Sequence, residues 1–397
     1  MQTSPIQFSP ADRIADFKPY FFTILGQKIT SLKNQGMEVI RLDMGSPDLP
    51  PADFIVDTLA QSARKADAHG YMPYPGTVDF RKAVATYYRN RFGVELDDNL
   101  EILTLIGAKE GLFNLHQVML NPGDVCLVSD PGYPVYFSGP EIAGAQVYSM
   151  PLLEENNFLP DLDAIPAEVV ARSKMMWINY PNNPTGAIAP DAFYEQVIEF
   201  AHQHKILIAH DAPYSDVCFD GYRAKSILEF PGAKDVAVEF NSLSKLYNMA
   251  GWRLGMAVGN AQVIKYLSVY KSQVDTSQFK AVMDAGAVAL TGDQGWIEER
   301  NDIYQHRRDL VVSAFQEMGF KVNNPKAAIY VWVKLDAGAD SLAFCDKLLH
   351  ETGVSLTPGV VYGQYGEGYI RVSLASPTDQ IQKALHRIRG WVAKINR

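Results

Sequence analysis

Lys245 has the surroundings of a reactive amine. It stands in Asn241-Ser242-Leu243-Ser244-Lys245-Leu246-Tyr247-Asn248-Met249-Ala250-Gly251-Trp252-Arg253, among hydroxyls and eight residues before a guanidinium. One apolar stretch, 236–240, leads into it and another, 254–258, follows, so the lysine is expected at the end of a buried strand. A desolvated amine has a lowered pKa and can act as nucleophile and base. Among groups that bind phosphate, the chemistry it suits is Schiff-base formation.

Further segments carry candidate groups. Asn179-Tyr180-Pro181-Asn182-Asn183-Pro184-Thr185-Gly186 consists almost wholly of turn formers behind an apolar run, and Asp211-Ala212-Pro213-Tyr214 closes another. Taken singly, these read as a loop and a helix N-cap. Gly107-Ala108-Lys109-Glu110-Gly111 reads as a glycine turn from a strand into a helix start, where free N–H groups can hold an anion. In Gly368-Tyr369-Ile370-Arg371-Val372-Ser373 an arginine lies within an apolar strand pattern. A guanidinium there needs an anion, from the protein or from a ligand.

To bring these groups together, the chain must set several strand ends side by side. From about Asp53 to Asn260, short apolar runs alternate with helical patterns, the signature of a mainly parallel sheet covered on both faces. Strands are expected at 102–106, 125–129, 146–150, 175–179, 207–210, 236–240 and 256–258, and helices near 54–65, 79–92, 109–120 and 191–204. Ligands gather where such strands end. Beyond the polar run 271–278, helices at 284–290 and 295–318, short strands and a last helix at 378–394 predict a second, smaller domain completed by 12–34. The expected division is 46–280 for the large domain and 1–45 with 281–397 for the small α+β domain.

The 397 residues, 47% hydrophobic and 20% charged, can bury a sizeable interior. A formal charge of −9 without a basic stripe argues against nucleic acid and anionic membranes and for a small-molecule partner. No apolar run is long enough for a membrane span and the N-terminus has no secretory apolar core, so the cytoplasm is the expected location. Cys126, Cys218 and Cys345 are widely spaced, with no CxxC or histidine cluster, which predicts buried thiols in a reducing compartment and no metal site. His210, next to Asp211, is expected to give hydrogen-bond support rather than to catalyse.

Taken together, Asn-Pro-Thr-Gly, Asp-x-x-Tyr, Ser-x-Ser-Lys and the following arginine occur in an order that resembles the class I/II aminotransferases, pyridoxal-phosphate enzymes of fold type I. The first three motifs each close their own expected strand, and the resemblance runs from about Gly45 to Arg371. It implies an α/β fold of type I, with the large domain's sheet sandwiched by helices, and a ping-pong transfer of an amino group from an L-amino acid to a 2-oxo acid. By the same resemblance, Lys245 would tether pyridoxal 5′-phosphate and shuttle the substrate's proton, and Asp211 would pair with the ring nitrogen. Tyr214 and Asn183 would hydrogen-bond the phenolic oxygen, and Tyr133 would lie against the ring. Ala108, Lys109, Ser242, Ser244 and Arg253 would hold the phosphate. Tyr71, in Tyr71-Met72-Pro73-Tyr74-Pro75-Gly76, would reach across a homodimer interface to the neighbouring active site. Gly45, Asn183 and Arg371 would receive the substrate, with Arg371 gripping its α-carboxylate.

Within the family, the stretches around Gly107, Asn121-Pro122-Gly123-Asp124-Val125, Asp130-Pro131-Gly132-Tyr133-Pro134-Val135-Tyr136, Asn157-Phe158-Leu159-Pro160-Asp161-Leu162 and Tyr180 to Gly186 look most like LL-diaminopimelate aminotransferases. That likeness implies LL-diaminopimelate with 2-oxoglutarate, although relatives of the same appearance act on alanine or aspartate. A β-lyase shares Lys245, Asp211 and Arg371 but releases pyruvate and ammonia without an acceptor. A cofactor-sensing regulator would need a DNA-binding helix-turn-helix, for which the residues before Gly45 are too few. The chain departs from many relatives at Pro325-Lys326-Ala327-Ala328-Ile329-Tyr330, where Pro-x-Gly is usual; this bears on how the small domain closes. The run 271–278 is expected at the dimer interface.

Overall fold

The computed structural model describes residues 7–15, 17 and 19–395; residues 1–6, 16, 18, 396 and 397 of the expected small domain lie outside the described residues. In chain order the helices are α1 Asp12–Ala15, α2 Phe21–Asn34, α3 Asp53–Ser62, α4 Val78–Phe92, α5 Ala108–Met119, α6 Val135–Ile142, α7 Ala167–Val170, α8 Asp191–His204, α9 Ala233–Val236, α10 Leu243–Leu246, α11 Ala261–Lys271, α12 Lys280–Thr291, α13 Gly295–Glu317, α14 Ser341–Thr352 and α15 Thr378–Ile395. The strands are β1 Ile40–Arg41, β2 Ile102–Leu105, β3 Val125–Asp130, β4 Gln146–Pro151, β5 Ser173–Ile178, β6 Leu207–Asp211, β7 Ala237–Ser242, β8 Gly255–Gly259, β9 Lys321–Val322, β10 Tyr330–Lys334, β11 Val354–Ser355, β12 Thr357–Pro358 and β13 Tyr369–Ser373.

Strands β2 to β8 form one sheet in the order β2-β8-β7-β6-β5-β3-β4. The pairings from β7 to β4 are parallel, and β8 runs against both β7 and β2. Residues of both parities are buried in β3, β6 and β7, as a sheet covered on both faces requires. Leu127, Met176 and Ile208 face one apolar core, while Cys126, Trp177 and Ala209 face the other. Each large apolar side chain so buried contributes about 1.5–3 kcal/mol by leaving water. The parallel run sends the C-terminal ends of β3, β5, β6 and β7 to one edge, and these ends carry Asp130, Asn179, Asp211 and Ser242.

A second, antiparallel sheet, β12-β13-β10-β9, packs with α13, α14 and α15 around Val331, Leu348, Ile370 and Ile388. Pairing of β1 with β11, and of the Leu25, Ile29 and Leu32 face of α2 with Leu349, joins the N-terminal segment to this unit. Helix α12 packs on α3 and α4, where Met283, Ala285 and Ala289 belong to the core of the seven-stranded sheet. No helix among the described residues is long and apolar enough to cross a membrane.

Candidate active site

A cavity of about 320 Å³ opens at the carboxyl edge of the sheet. Lys245 reaches it because Ser242 ends β7 and caps α10, its hydroxyl accepting from Ser244 N at 3.2 Å, so the chain turns sharply at the strand end. The Lys245 ammonium donates to the Gly45 carbonyl at 2.5 Å. Burial, with the Arg253 and Arg371 charges nearby, pushes its pKa down to about 8 against the smaller opposing pull of Asp211.

Asp211, the last residue of β6, is buried in the same cavity. Tyr136 donates to its Oδ2 at 2.6 Å, and Asn179 Nδ2 donates to its main-chain carbonyl at 2.6 Å. Its Oδ1 is buried with no partner. Desolvation raises the carboxyl to about pH 6, although the Tyr136 hydrogen bond works in the opposite direction. A carboxylate so placed favours a cationic N–H donor delivered by a ligand.

Asn179 also accepts from Asn183 N at 2.7 Å, which fixes the Asn-Pro-Thr-Gly loop against β6. Arg371, buried in β13, donates to Asn183 Oδ1 at 2.9 Å and to the Asp43 carbonyl at 2.8 Å, and its Nε has no partner. Among the described residues, no carboxylate side chain lies within hydrogen-bond distance of it. Tyr214 is buried beside it, its hydroxyl 3.0 Å from that of Tyr330, and burial pushes the Tyr214 phenol well up.

An anion cradle lies at the start of α5. Gly107 holds φ +73°, and a Cβ there would stand 2.1 Å from Arg253 Nη2, so only glycine admits this guanidinium. Arg253 donates to the Ala250 carbonyl at 2.9 Å and lies 3.5 Å from Ser244 Oγ. The first-turn N–H groups of α5, the Ser242 and Ser244 hydroxyls and this guanidinium converge on one side of the cavity.

The family described as "Aminotransferase class I and II" matches residues 37–388. The chain belongs to this family. The aminotransferase is 46% identical over 385 residues to the LL-diaminopimelate aminotransferase of Moorella thermoacetica, covering 97% of this chain and 99% of that one. Among solved structures it resembles substrate-bound BacF of Bacillus subtilis (TM-score 0.93, 36% identical, 97% and 98% covered). It also resembles the aspartate aminotransferase of Thermus thermophilus with maleate (TM-score 0.89, 28% identical, 97% and 100% covered).

Of the residues singled out from the sequence, Gly45, Ala108, Lys109, Tyr133, Asn183, Asp211, Tyr214, Ser242, Ser244, Lys245, Arg253 and Arg371 all line this same cavity of the aminotransferase. Tyr71 does not; its side chain is 90% exposed. The Lys109 ammonium lies over the Tyr20 ring, 4.4 Å from its centroid, rather than in the anion cradle, so only its backbone can serve there. His210 does give hydrogen-bond support, but on the far side of β6 from the cavity: its ring meets Glu239 Oε2 at 2.9 Å and the Tyr180 carbonyl at 3.1 Å. The run 271–278 starts as the end of α11, with Lys271 buried between Glu110 and Asp275. Sequence reasoning missed Tyr20, Phe22, Asn179, Tyr330 and Tyr362 in the cavity wall and Tyr136 behind Asp211. The signal for Asn179 and Tyr136 was present, since both stand in segments already singled out for other residues.

Proposed function

We propose that this aminotransferase uses pyridoxal 5′-phosphate and exchanges an amino group between LL-diaminopimelate and 2-oxoglutarate by a ping-pong route. The observation that carries the cofactor is the partnerless, buried Asp211 Oδ1 in the cavity that also receives the Lys245 amine. A pyridinium N–H satisfies the first, a carbonyl carbon the second, and the Gly107–Arg253 cradle fits a phosphate dianion. When bound, the cofactor supplies an aldehyde for the amine and an electron-withdrawing ring.

The chain's own groups then divide the work. Ala108 and Lys109 N–H, Ser242, Ser244 and Arg253 hold the phosphate; Asp211 keeps the ring nitrogen protonated; Tyr133 covers the ring; Tyr214 and Asn183 donate to the phenolic oxygen. Arg371, with its free Nε and bidentate fork, binds the α-carboxylate of each substrate in turn, and Gly45 leaves backbone room for it. Lys245, with both protonation states populated near pH 8, takes the proton from the substrate Cα and returns it on the other side of the transfer.

The substrate assignment rests on the name borne by a relative 46% identical over 97% of the chain. We also propose that the large unit runs from 46 to the end of α12, which packs with the large core, and that the described N-terminal segment joins the C-terminal part in the small unit. We further propose a cytoplasmic homodimer: the three cysteines are free, and the side chains of Tyr71, Tyr74, Val78 and Leu100 are each exposed. The deciding experiment is borohydride reduction of the holoprotein with peptide mapping, then a donor screen with LL-diaminopimelate, alanine and aspartate against 2-oxoglutarate. Label on Lys245 and fastest turnover of LL-diaminopimelate are expected; label elsewhere rejects the cofactor site, and preference for another donor rejects the substrate.

A further inference from the structure

The segment in which this chain departs from many relatives delivers a residue to the active site. Ala328 holds φ +68°, a left-handed conformation that residues with a Cβ seldom adopt. It is kept there by Ala328 N to Val217 O at 2.9 Å and Phe219 N to Lys326 O at 2.8 Å. The turn leads directly into β10, whose first residue, Tyr330, projects into the cavity wall.

Tyr330 meets three groups there. Its hydroxyl is 3.0 Å from the Tyr214 hydroxyl. Its ring lies under the Arg371 guanidinium, with Cζ 3.9 Å from the ring centroid. The same hydroxyl stands 2.6 Å from the point a Cβ on Gly45 would occupy. Two buried hydroxyls in contact share one hydrogen, so one phenol donates and the other keeps its hydrogen free. The cation over the Tyr330 ring draws electron density from its phenol and makes it the better donor.

We propose that Tyr330 is a positioning residue for the transfer reaction: it donates to Tyr214 and thereby frees and polarises the Tyr214 hydroxyl as a donor into the cavity. This rests on the role of Tyr214 toward the cofactor's phenolic oxygen given above. Hydrogen bonds in a chain strengthen one another by roughly 10–30% per bond, so the contribution is modest but has a defined sign. Removing the Tyr330 hydroxyl weakens the donation from Tyr214, leaves the phenolate less stabilised, and makes the bound chromophore hold its proton to higher pH.

The test is a pH titration of the visible absorption band of the holoenzyme in the wild type, Tyr330→Phe, Tyr214→Phe and the double variant. Phenylalanine keeps the ring on which Arg371 stacks, so the wall of the cavity is preserved. Tyr330→Phe is expected to raise the midpoint by about 0.3 pH unit, Tyr214→Phe by more, and the double variant to coincide with Tyr214→Phe. A purely structural role would lower thermal stability without moving the midpoint. An unmoved midpoint in Tyr330→Phe, or a shift that adds to that of Tyr214→Phe, overturns the proposal. Absence of any pH-dependent visible band in the wild type overturns the cofactor reading, and this one with it.

Discussion

Lys245 and Gly45 meet across 2.5 Å, the lysine ammonium donating to the glycine carbonyl. The amine at the end of β7 is thus oriented by the segment that leaves β1, and β1 pairs with the small unit's β11. That glycine also lies against the Tyr330 hydroxyl, which is fixed by Tyr214 on one side and Arg371 on the other.

Gly45→Ala is therefore expected to be costly although it adds one methyl group. Overpacking of about 1–3 kcal/mol, felt in the transition state, would lower kcat/KM by about 5- to 150-fold. Tyr330→Phe in the same chain removes the obstructing oxygen, so the double variant should be faster than Gly45→Ala alone. Steady-state kinetics of the two single variants and the double one check this; a double variant no faster than Gly45→Ala places the clash elsewhere.

The sheet and helices α3, α4, α5 and α8 on it were legible because their signals are local, whereas α11 was not foreseen. Apolar runs bounded by turn residues put β2 to β8 within about three residues of their observed ends, and 191–204 coincides with α8. Helix α6 was missed because it is short and contains Gly139 and Pro140, which read as a loop. Of the site, the residues in motifs converged. Tyr330, Tyr362 and Tyr20 could not be read, because they reach the cavity from the second sheet and the N-terminal segment, and nothing in a single strand pattern shows which face meets a distant domain. The same limit hid the packing of α12 on α3 and α4, which is a long-range fact.

Arg300 is a buried guanidinium with no carboxylate in hydrogen-bond contact among the described residues. From α13 it donates to the main-chain carbonyls of Lys245 at 3.2 Å, of Leu246 and of Asp216 at 2.6 Å, which caps the C-terminal end of α10. Arg300→Met should leave the Lys245 and Leu246 carbonyls unsatisfied at about 1–3 kcal/mol each, while the Asp216 carbonyl keeps the Asn301 Nδ2 donor at 2.9 Å. The expected outcome is a loss of roughly 3 kcal/mol or more in urea unfolding at fixed protein concentration, together with lower kcat from a displaced Lys245. A variant of unchanged stability would mean that water replaces the guanidinium.

Tyr71 is exposed and outside its own subunit's cavity, so its proposed partner is the neighbouring site. Tyr71→Ala and Lys245→Ala should each be nearly inactive as separate dimers. In a mixed dimer, the site that keeps Lys245 receives Tyr71 from the other chain, so one site in two is complete. Unfolding and refolding an equal mixture should therefore restore about a quarter of wild-type activity. A mixture that stays inactive contradicts the shared site.

The buried carboxyl of Asp211 costs the folded apoprotein stability. Its carboxyl titrates near pH 6 in the folded protein against an ordinary value of 3.8, so between these values the folded state binds more protons than the unfolded one. Stability accordingly falls as pH rises through this window, and the penalty is fully present above pH 6. Two pKa units correspond to about 3 kcal/mol. Asp211→Asn keeps an oxygen to accept from Tyr136 and carries no charge, so its apoprotein should be more stable than wild type at pH 8 by up to about 3 kcal/mol. The advantage should fade between pH 6 and 4, while affinity for the cofactor drops at every pH. Urea unfolding of both apoproteins across this range checks the sign, and an Asn variant no more stable than wild type at pH 8 would show that Asp211 bears no desolvation penalty.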